Sequence, residues 1–222
     1  MKKLLTLGLV AIAMFHAKAQ DDDNHRVIDR ADGSLLYINT LIDVDGSPFW
    51  KDDWTNATII GSTGKVFSKI PVKFDAYNSK FVFNQHDSTL ELTMPIKAIY
   101  LSEQPSDTMV FKKGYSINGK LTANKYFQVL AEGAVTLLKY ISKEVEDYDV
   151  YGDAKKHQRY KQTEVYYTLS NNQYTLVKLN KKELENTVVG KSAQMGPFLQ
   201  KNNLSGKDEK SWIAAISYYN TL

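Results

Sequence analysis

Few residues in this chain have the types and spacing that chemistry needs. Beyond the first twenty residues the histidines are His25, His86 and His157. Each lies in a polar segment without a second imidazole or matched carboxylates at ligand spacing, which argues against a histidine-based zinc site. There is no cysteine. That removes a disulfide scaffold, a thiolate metal site, a cysteine nucleophile and a lipid-anchored N-terminal cysteine. Asp43-Val44-Asp45-Gly46 is half of an acidic loop that lacks the later oxygen ligands and closing glutamate of a calcium site, and it reads as a turn. Neither G-x-S-x-G on a strand-to-helix elbow nor S-x-x-K in a helix is present, so no serine has an adjacent base. Gly61-Ser62-Thr63-Gly64-Lys65 is too short for a phosphate-binding loop, no helical segment follows it, and it reads as a hairpin turn. A pair of carboxylates for glycosidic cleavage stays open, because any two of the 25 acids can be brought together by the fold. No catalytic residue, metal ligand or cofactor site is therefore assigned.

The aromatic residues are the stronger candidates. Phe49, Trp50 and Trp54, in a chain with 14 tyrosines, offer a stacking surface for sugars, peptides or lipids. The competing and favoured reading is that Trp50 and Trp54, four apart beside a β-meander, plug one end of the core. Asp87-Ser88-Thr89 and Asp107-Thr108-Met109 match a short Asp-(Ser/Thr)-apolar acceptor pattern for O-glycosylation at Ser88 and Thr108. Asn56-Ala57-Thr58 and Asn203-Leu204-Ser205 match the N-linked pattern.

The elements that must position these residues begin with an export signal. Lys2 and Lys3 precede an apolar run from Leu4 to Phe15, and Ala17-Lys18-Ala19 supplies small residues where a signal peptidase reads. Residues 1–19 are expected to be cleaved, leaving a mature chain from Gln20 in the periplasm or outside the cell. The apolar run is too short for a transmembrane anchor. Cleavage removes Lys2, Lys3 and Lys18 and no acid, leaving 25 basic residues against 25 acids. With no net charge and only Arg26, Arg30 and Arg159 among its arginines, the mature chain carries no footprint for nucleic acid.

Residues 20–33 read as a flexible leader and 34–222 as a single β-rich domain. Ser34 to Val44 is expected to be extended. From Ile70 onward the period is two: Ile70, Val72 and Phe74; then Phe81 and Phe83; then Leu90, Leu92 and Met94. Short polar turns join these runs, which predicts antiparallel neighbours in a meander. Further strands are expected at 57–61, 96–101, 108–111, 126–130, 134–140, 162–169 and 173–179. The 126–140 pair should turn through a bulged three-residue loop at Ala131-Glu132-Gly133. Ser142 to Lys161, acidic and then basic, predicts a protruding hairpin with complementary arms worth little per pair. From about residue 180 the period turns helical. Asn180 with Glu183 opens one helix, Met195, Phe198 and Leu199 share a face of a second, and Ser205 with Asp208 opens a third carrying Trp212, Ala215, Ile216 and Tyr219. The fold class is mainly β with an α+β flavour: an antiparallel meander curved into an open sheet or partial barrel, with short C-terminal helices packed on it.

The stretch Gly46-Ser47-Pro48-Phe49 through Trp54, then Gly64, then Pro71-Val72-Lys73-Phe74-Asp75-Ala76-Tyr77, resembles the start of a group of uncharacterised secreted proteins of Bacteroidota. Tyr126 to Gly133, Leu137-Leu138-Lys139 and the closing Tyr218-Tyr219-Asn220 resemble it too. The resemblance implies export and an envelope role, with no assigned activity to carry over. The expectation is an exported, non-catalytic binding or envelope-associated protein. Its sharper form holds an apolar or glycan ligand on a concave aromatic sheet face, with Phe49, Trp50 and Trp54 as ligand-binding residues. The partner would be a small molecule, lipid or glycan, or an envelope protein, and the mature chain has no transmembrane segment. The rivals are a carboxylate-based glycan hydrolase and a docking subunit of an outer-membrane assembly.

Overall fold

The computed structural model describes residues 44–85, 88–102, 107–117 and 121–222. The export signal, the leader, His25, His86, Asp87 and all of the 34–44 segment except Val44 lie outside the described residues. Eleven strands form one sheet: β1 (Val44–Asp45), β2 (Thr55–Gly61), β3 (Val66–Asp75), β4 (Lys80–Gln85), β5 (Ser88–Glu91), β6 (Ile96–Ser102), β7 (Thr108–Lys112), β8 (Phe127–Ala131), β9 (Val135–Asp149), β10 (Lys156–Ser170) and β11 (Gln173–Val177). Three helices follow, α1 (Lys181–Thr187), α2 (Ser192–Lys201) and α3 (Glu209–Thr221), with a 3₁₀ turn at Val189–Lys191 between the first two.

The sheet order is β1-β10-β9-β8-β7-β6-β2-β3-β4-β5, and β11 pairs with the other end of β10. This departs from a pure meander in two places. β2 lies between β3 and β6, and the two residues of β1 run parallel to β10. The remaining pairs are antiparallel, as the short turns require.

The sheet curls because β3 is coiled by an extra residue. Ala57 pairs with Ile70 and Ile59 with Phe67, so one strand has three steps where the other has two. Lys69 takes up the surplus at φ 58, the local twist of a bulge. On a flat sheet β4 and β7, four strand spacings apart, would stand about 19 Å from each other. Instead the rings of Phe81 and Phe111 meet at 5.3 Å. The link from β5 to β6 crosses the mouth of the curl: Leu92 N donates to Phe81 O at 2.8 Å and Ser62 N to Pro95 O at 2.9 Å. The sheet stays open.

Both principal cores lie on the inner face. The first is aromatic and fills the curl with Phe67, Phe74, Phe81, Phe83, Phe111 and Tyr126. The second lies between β8, β9, β11 and the helices, with Leu137, Val177, Leu184, Met195, Trp212 and Ile216. A smaller cluster of Phe127, Val129, Leu138 and Tyr167 sits on the opposite face, with Tyr115, Ile117 and Leu121 packed against it. The 126–140 hairpin is present, but its bulge lies within β8, where the register shifts between Val129 and Ala131, and not in the loop; Ala131 closes the strand and the turn is residues 132–134. Gly133 is required there by close approach, since a Cβ would meet Asn220 at 2.5 Å.

The helices begin where capping chemistry puts them, with one difference. Asn180 accepts from Glu183 N at 2.9 Å and opens α1. α3 is capped by Asp208, which accepts from Ser211 N at 2.8 Å, whereas Ser205 Oγ donates to the Asp208 carboxylate and accepts from Lys207 N. The helix therefore starts three residues later than a Ser205 cap implies. The 142–161 segment is a continuation of β9 and β10 into solvent. Glu146 pairs with Arg159 and Lys161, and Asp149 with Lys156.

Candidate functional site

One cross-strand row on the inner face links the two cores. In register it reads Phe67, Ile59, Ile99, Phe111, Gln128, Lys139, Tyr166 and Val177. The row is apolar at both ends and polar in its middle. Lys139 sits in phase with Leu137 and Ile141, so alternation aims it inward, and it is only 8% exposed. Its ammonium bonds Glu164 at 2.9 Å and Glu209, in the first turn of α3, at 3.0 Å. The Tyr166 hydroxyl donates to the same Glu209 at 3.0 Å. Gln128 beside them is buried, and its Oε1 accepts no hydrogen bond.

Burial works against the Lys139 charge, but hydrogen bonds to Glu164 and Glu209 outweigh it and hold its pKa above the ordinary lysine value. Burial, and then Glu209, raise the Tyr166 phenol strongly. Near neutral pH this leaves an ammonium and a phenol, neither of them a base or a nucleophile. Glu164 and Glu209 are one carboxylate pair that the fold brings together. Bridging by one Nζ brings the Glu164 and Glu209 oxygens to within about 6 Å of each other. The ammonium, however, occupies the space in which a glycosidic oxygen would have to sit. The cluster is a tie between sheet and helix. Composition did not reveal it; the detectable signal was a lysine at an inward position of an apolar alternating run.

A second feature is a groove of about 720 Å³ in the helical layer. Its floor is Val188, Met195, Leu199 and Leu204, and its rim includes Lys181, Glu185, Ser192 and Asn203. Val188 and Met195 are fully buried, whereas Val189 at the edge is 66% exposed. The wall contributed by α2 runs against local propensity. Gly196 and Pro197 sit in its interior, where glycine costs about 1 kcal/mol and proline about 3 kcal/mol relative to alanine. The helix persists because Met195 is buried and Phe198 stacks on Tyr218 at 3.9 Å.

The aromatic candidates are divided by the fold. Trp50 packs on the aromatic core, edge-on to Phe111 at 5.8 Å, and its backbone N–H donates to Phe74 O at 2.8 Å. Phe49 bridges to Asp75 at the end of β3. Trp54 is 37% exposed. Lys73 Nζ lies 5.3 Å from the Phe49 ring and 4.8 Å from Trp54, so these two rings share a cation of the chain itself. Ser88 opens β5 half-buried, and Thr108 opens β7 exposed beside exposed Asp107. Asp45, from the acidic turn, accepts from the Tyr148 hydroxyl, and His157 lies against Asp153 at 2.9 Å. Among the described residues, no group of three or more His, Asp or Glu side chains could hold a metal ion, and no helix is long and apolar enough to cross a membrane.

Comparison of the chain with protein-family models, curated proteins and solved structures finds no match in any of the three.

Proposed function

We propose that the protein is an exported, non-catalytic binding protein of the cell envelope that holds an apolar ligand. The observation that carries this reading is the groove of about 720 Å³ with an apolar floor and a polar rim, a size and lining suited to small-molecule binding. The ligand surface is assigned to the helical layer rather than to the concave sheet face, because that face is filled by side chains of the two cores. Export is inferred from the signal at residues 1–19 and from the resemblance to secreted proteins. Phe49 and Trp54 remain a smaller candidate surface for a glycan.

The docking reading is favoured by a separate observation. The tip of the β9–β10 hairpin presents Val150 at 40% and Tyr151 at 106% exposure, with no packing to account for them.

Native mass spectrometry of protein purified from its own envelope, without detergent exchange, tests the main reading. An added mass released by denaturation is expected above that of Gln20 to Leu222. A bare mass would overturn stable cargo. Mass that survives denaturation would instead report covalent modification, with Ser88 and Thr108 as the residues to map.

A further inference from the structure

We infer that the ligand of the helical groove is an anionic single-chain amphiphile, a fatty acid by class, lying along α2 with its carboxylate at the Lys181 end. The inference rests on the binding reading above and adds the chemistry of the ligand. The first support is shape. The floor is made of unbranched or flexible side chains, Met195, Leu199 and Leu204, beside Val188. Methionine adapts to an apolar chain without a fixed pocket. The α2 wall has a glycine at the groove: a Cβ added to Gly196 meets nothing within 4 Å. A side chain there would fit the protein, and its absence leaves the groove open. A Gly-Pro step inside a helix is poor for stability, and such local inconsistencies concentrate at functional positions.

The second support is charge. Whereas the chain beyond the signal is balanced, residues 178–210 carry seven lysines against four acids, and of these Lys181 and Glu185 line the groove itself. Two of these acids are held by partners of their own. Asp208 caps α3 through Ser211 and Ser205, and Glu209 is bound to Lys139. Gly206 is packed so closely on Lys181 that an added Cβ would meet its Cα at 2.9 Å. That contact brings the backbone next to Lys207 against Lys181, which with Ser205 belongs to the groove lining. Lys181 reaches Glu185 only at 3.7 Å, both largely exposed, a pair too weak to hold the ammonium from a ligand carboxylate.

The test is calorimetric titration of the full chain with dodecanoate, tetradecanoate, dodecanol and dodecylamine, all below their micelle thresholds. Dodecanoate should bind at one site, tetradecanoate more tightly by roughly fourfold per added methylene, dodecanol at least tenfold more weakly than dodecanoate, and dodecylamine not at all. Gly196→Leu should abolish binding while leaving the melting temperature unchanged or higher, because leucine is the better helix former. Loss of binding with a lowered melting temperature would be general damage and would count against the groove. Lys181→Glu combined with Lys207→Glu should remove the preference for dodecanoate over dodecanol. If all probes bind equally, the anionic assignment is overturned and the apolar reading stands. If none binds, both are overturned.

Discussion

On one side of the Gln128, Lys139 and Tyr166 row the sheet curls over six buried aromatic rings and seals its own core; on the other, aliphatic residues and one buried tryptophan are roofed by helices. The same strand, β9, serves both. Ile141 points into the aromatic core and Leu137 into the helix-covered one, with Lys139 between them. A core closed by strand curvature is filled from all sides by rings in edge and tilted contact, as Phe81 is by Phe74, Phe111 and Tyr126. A core closed by short helices over a sheet leaves space between them, and here that space is the groove. The contrast teaches where such a protein can hold something: in its loosely roofed half.

The contrast predicts unequal costs of truncation. Phe81→Ala removes a fully buried ring from a site that cannot collapse and should cost about 3–5 kcal/mol. Leu184→Ala is also fully buried but lies in the layer that holds the groove, where neighbours have room to relax. It should fall near the lower end of the leucine range, about 2 kcal/mol. Urea unfolding of both variants checks this, and equal losses would erase the distinction between the halves.

The Lys139 tie comes next. Lys139→Ala leaves two partly exposed carboxylates facing each other without their cation and should cost about 2 kcal/mol, less than a fully buried pair because water reaches both acids. Lys139→Met together with Glu209→Gln should recover part of the loss. The pH dependence has a definite sign. Lys139 and Tyr166 both have raised values in the folded state, so the native protein holds their protons more tightly than the unfolded chain. Their contribution is complete below the ordinary lysine and tyrosine values, about 10, and is lost as pH rises through the raised ones. Urea midpoints should owe no change to these groups up to about pH 10, then fall for the wild type and fall less for Lys139→Met.

Most of the sheet was legible because its half-buried strands alternate, as at Ile70, Val72 and Phe74 or Phe81 and Phe83, and because polar turns separate them. The hairpin arms were legible from their opposed charges, and α1 from Asn180 and Glu183. The strand order was not. Nothing local states that β2 is flanked by β3 and β6, which depends on the Lys69 bulge and the curl it produces. The polar junction was missed because Glu209 and Lys139 are 70 positions apart, and only the inward phase of Lys139 marked it. The helix carrying Met195, Phe198 and Leu199 was legible in spite of its Gly196-Pro197 step; the groove was not, because it lies between elements whose mutual placement nothing local states.

Asn220 tests how the helical roof is pinned at its far end. Its side chain accepts from Val135 N at 2.9 Å and donates to Val135 O at 2.8 Å, taking the place of β8, whose pairing with β9 stops at Leu137 while β10 continues to Val135. Asn220→Ala leaves both backbone groups unsatisfied beside a buried residue and should cost about 1–3 kcal/mol. The loss should appear as faster amide exchange in α3 and at Val135, with little change in β3 and β4.

The smallest effect should come from the outer half of the β9–β10 hairpin. Hydrogen bonds from Lys161 and then Arg159 hold the Glu146 carboxyl below the usual range. Its contribution is therefore present above the ordinary carboxylate value and lost as pH falls through the lowered one. All three side chains are in contact with water, so ordering them and screening by salt offset much of the attraction. Glu146→Gln should leave the melting temperature within replicate scatter, and at higher salt any difference should vanish. Here the ladder extends beyond the two cores, and its opening free energy should be lower than that of the inner strands. If Glu146→Gln lowered the melting temperature as much as Asn220→Ala does, the projection would have to belong to the cooperative core. Its exposed Tyr151 tip would then be structural in origin, and the docking reading would lose the observation that favours it.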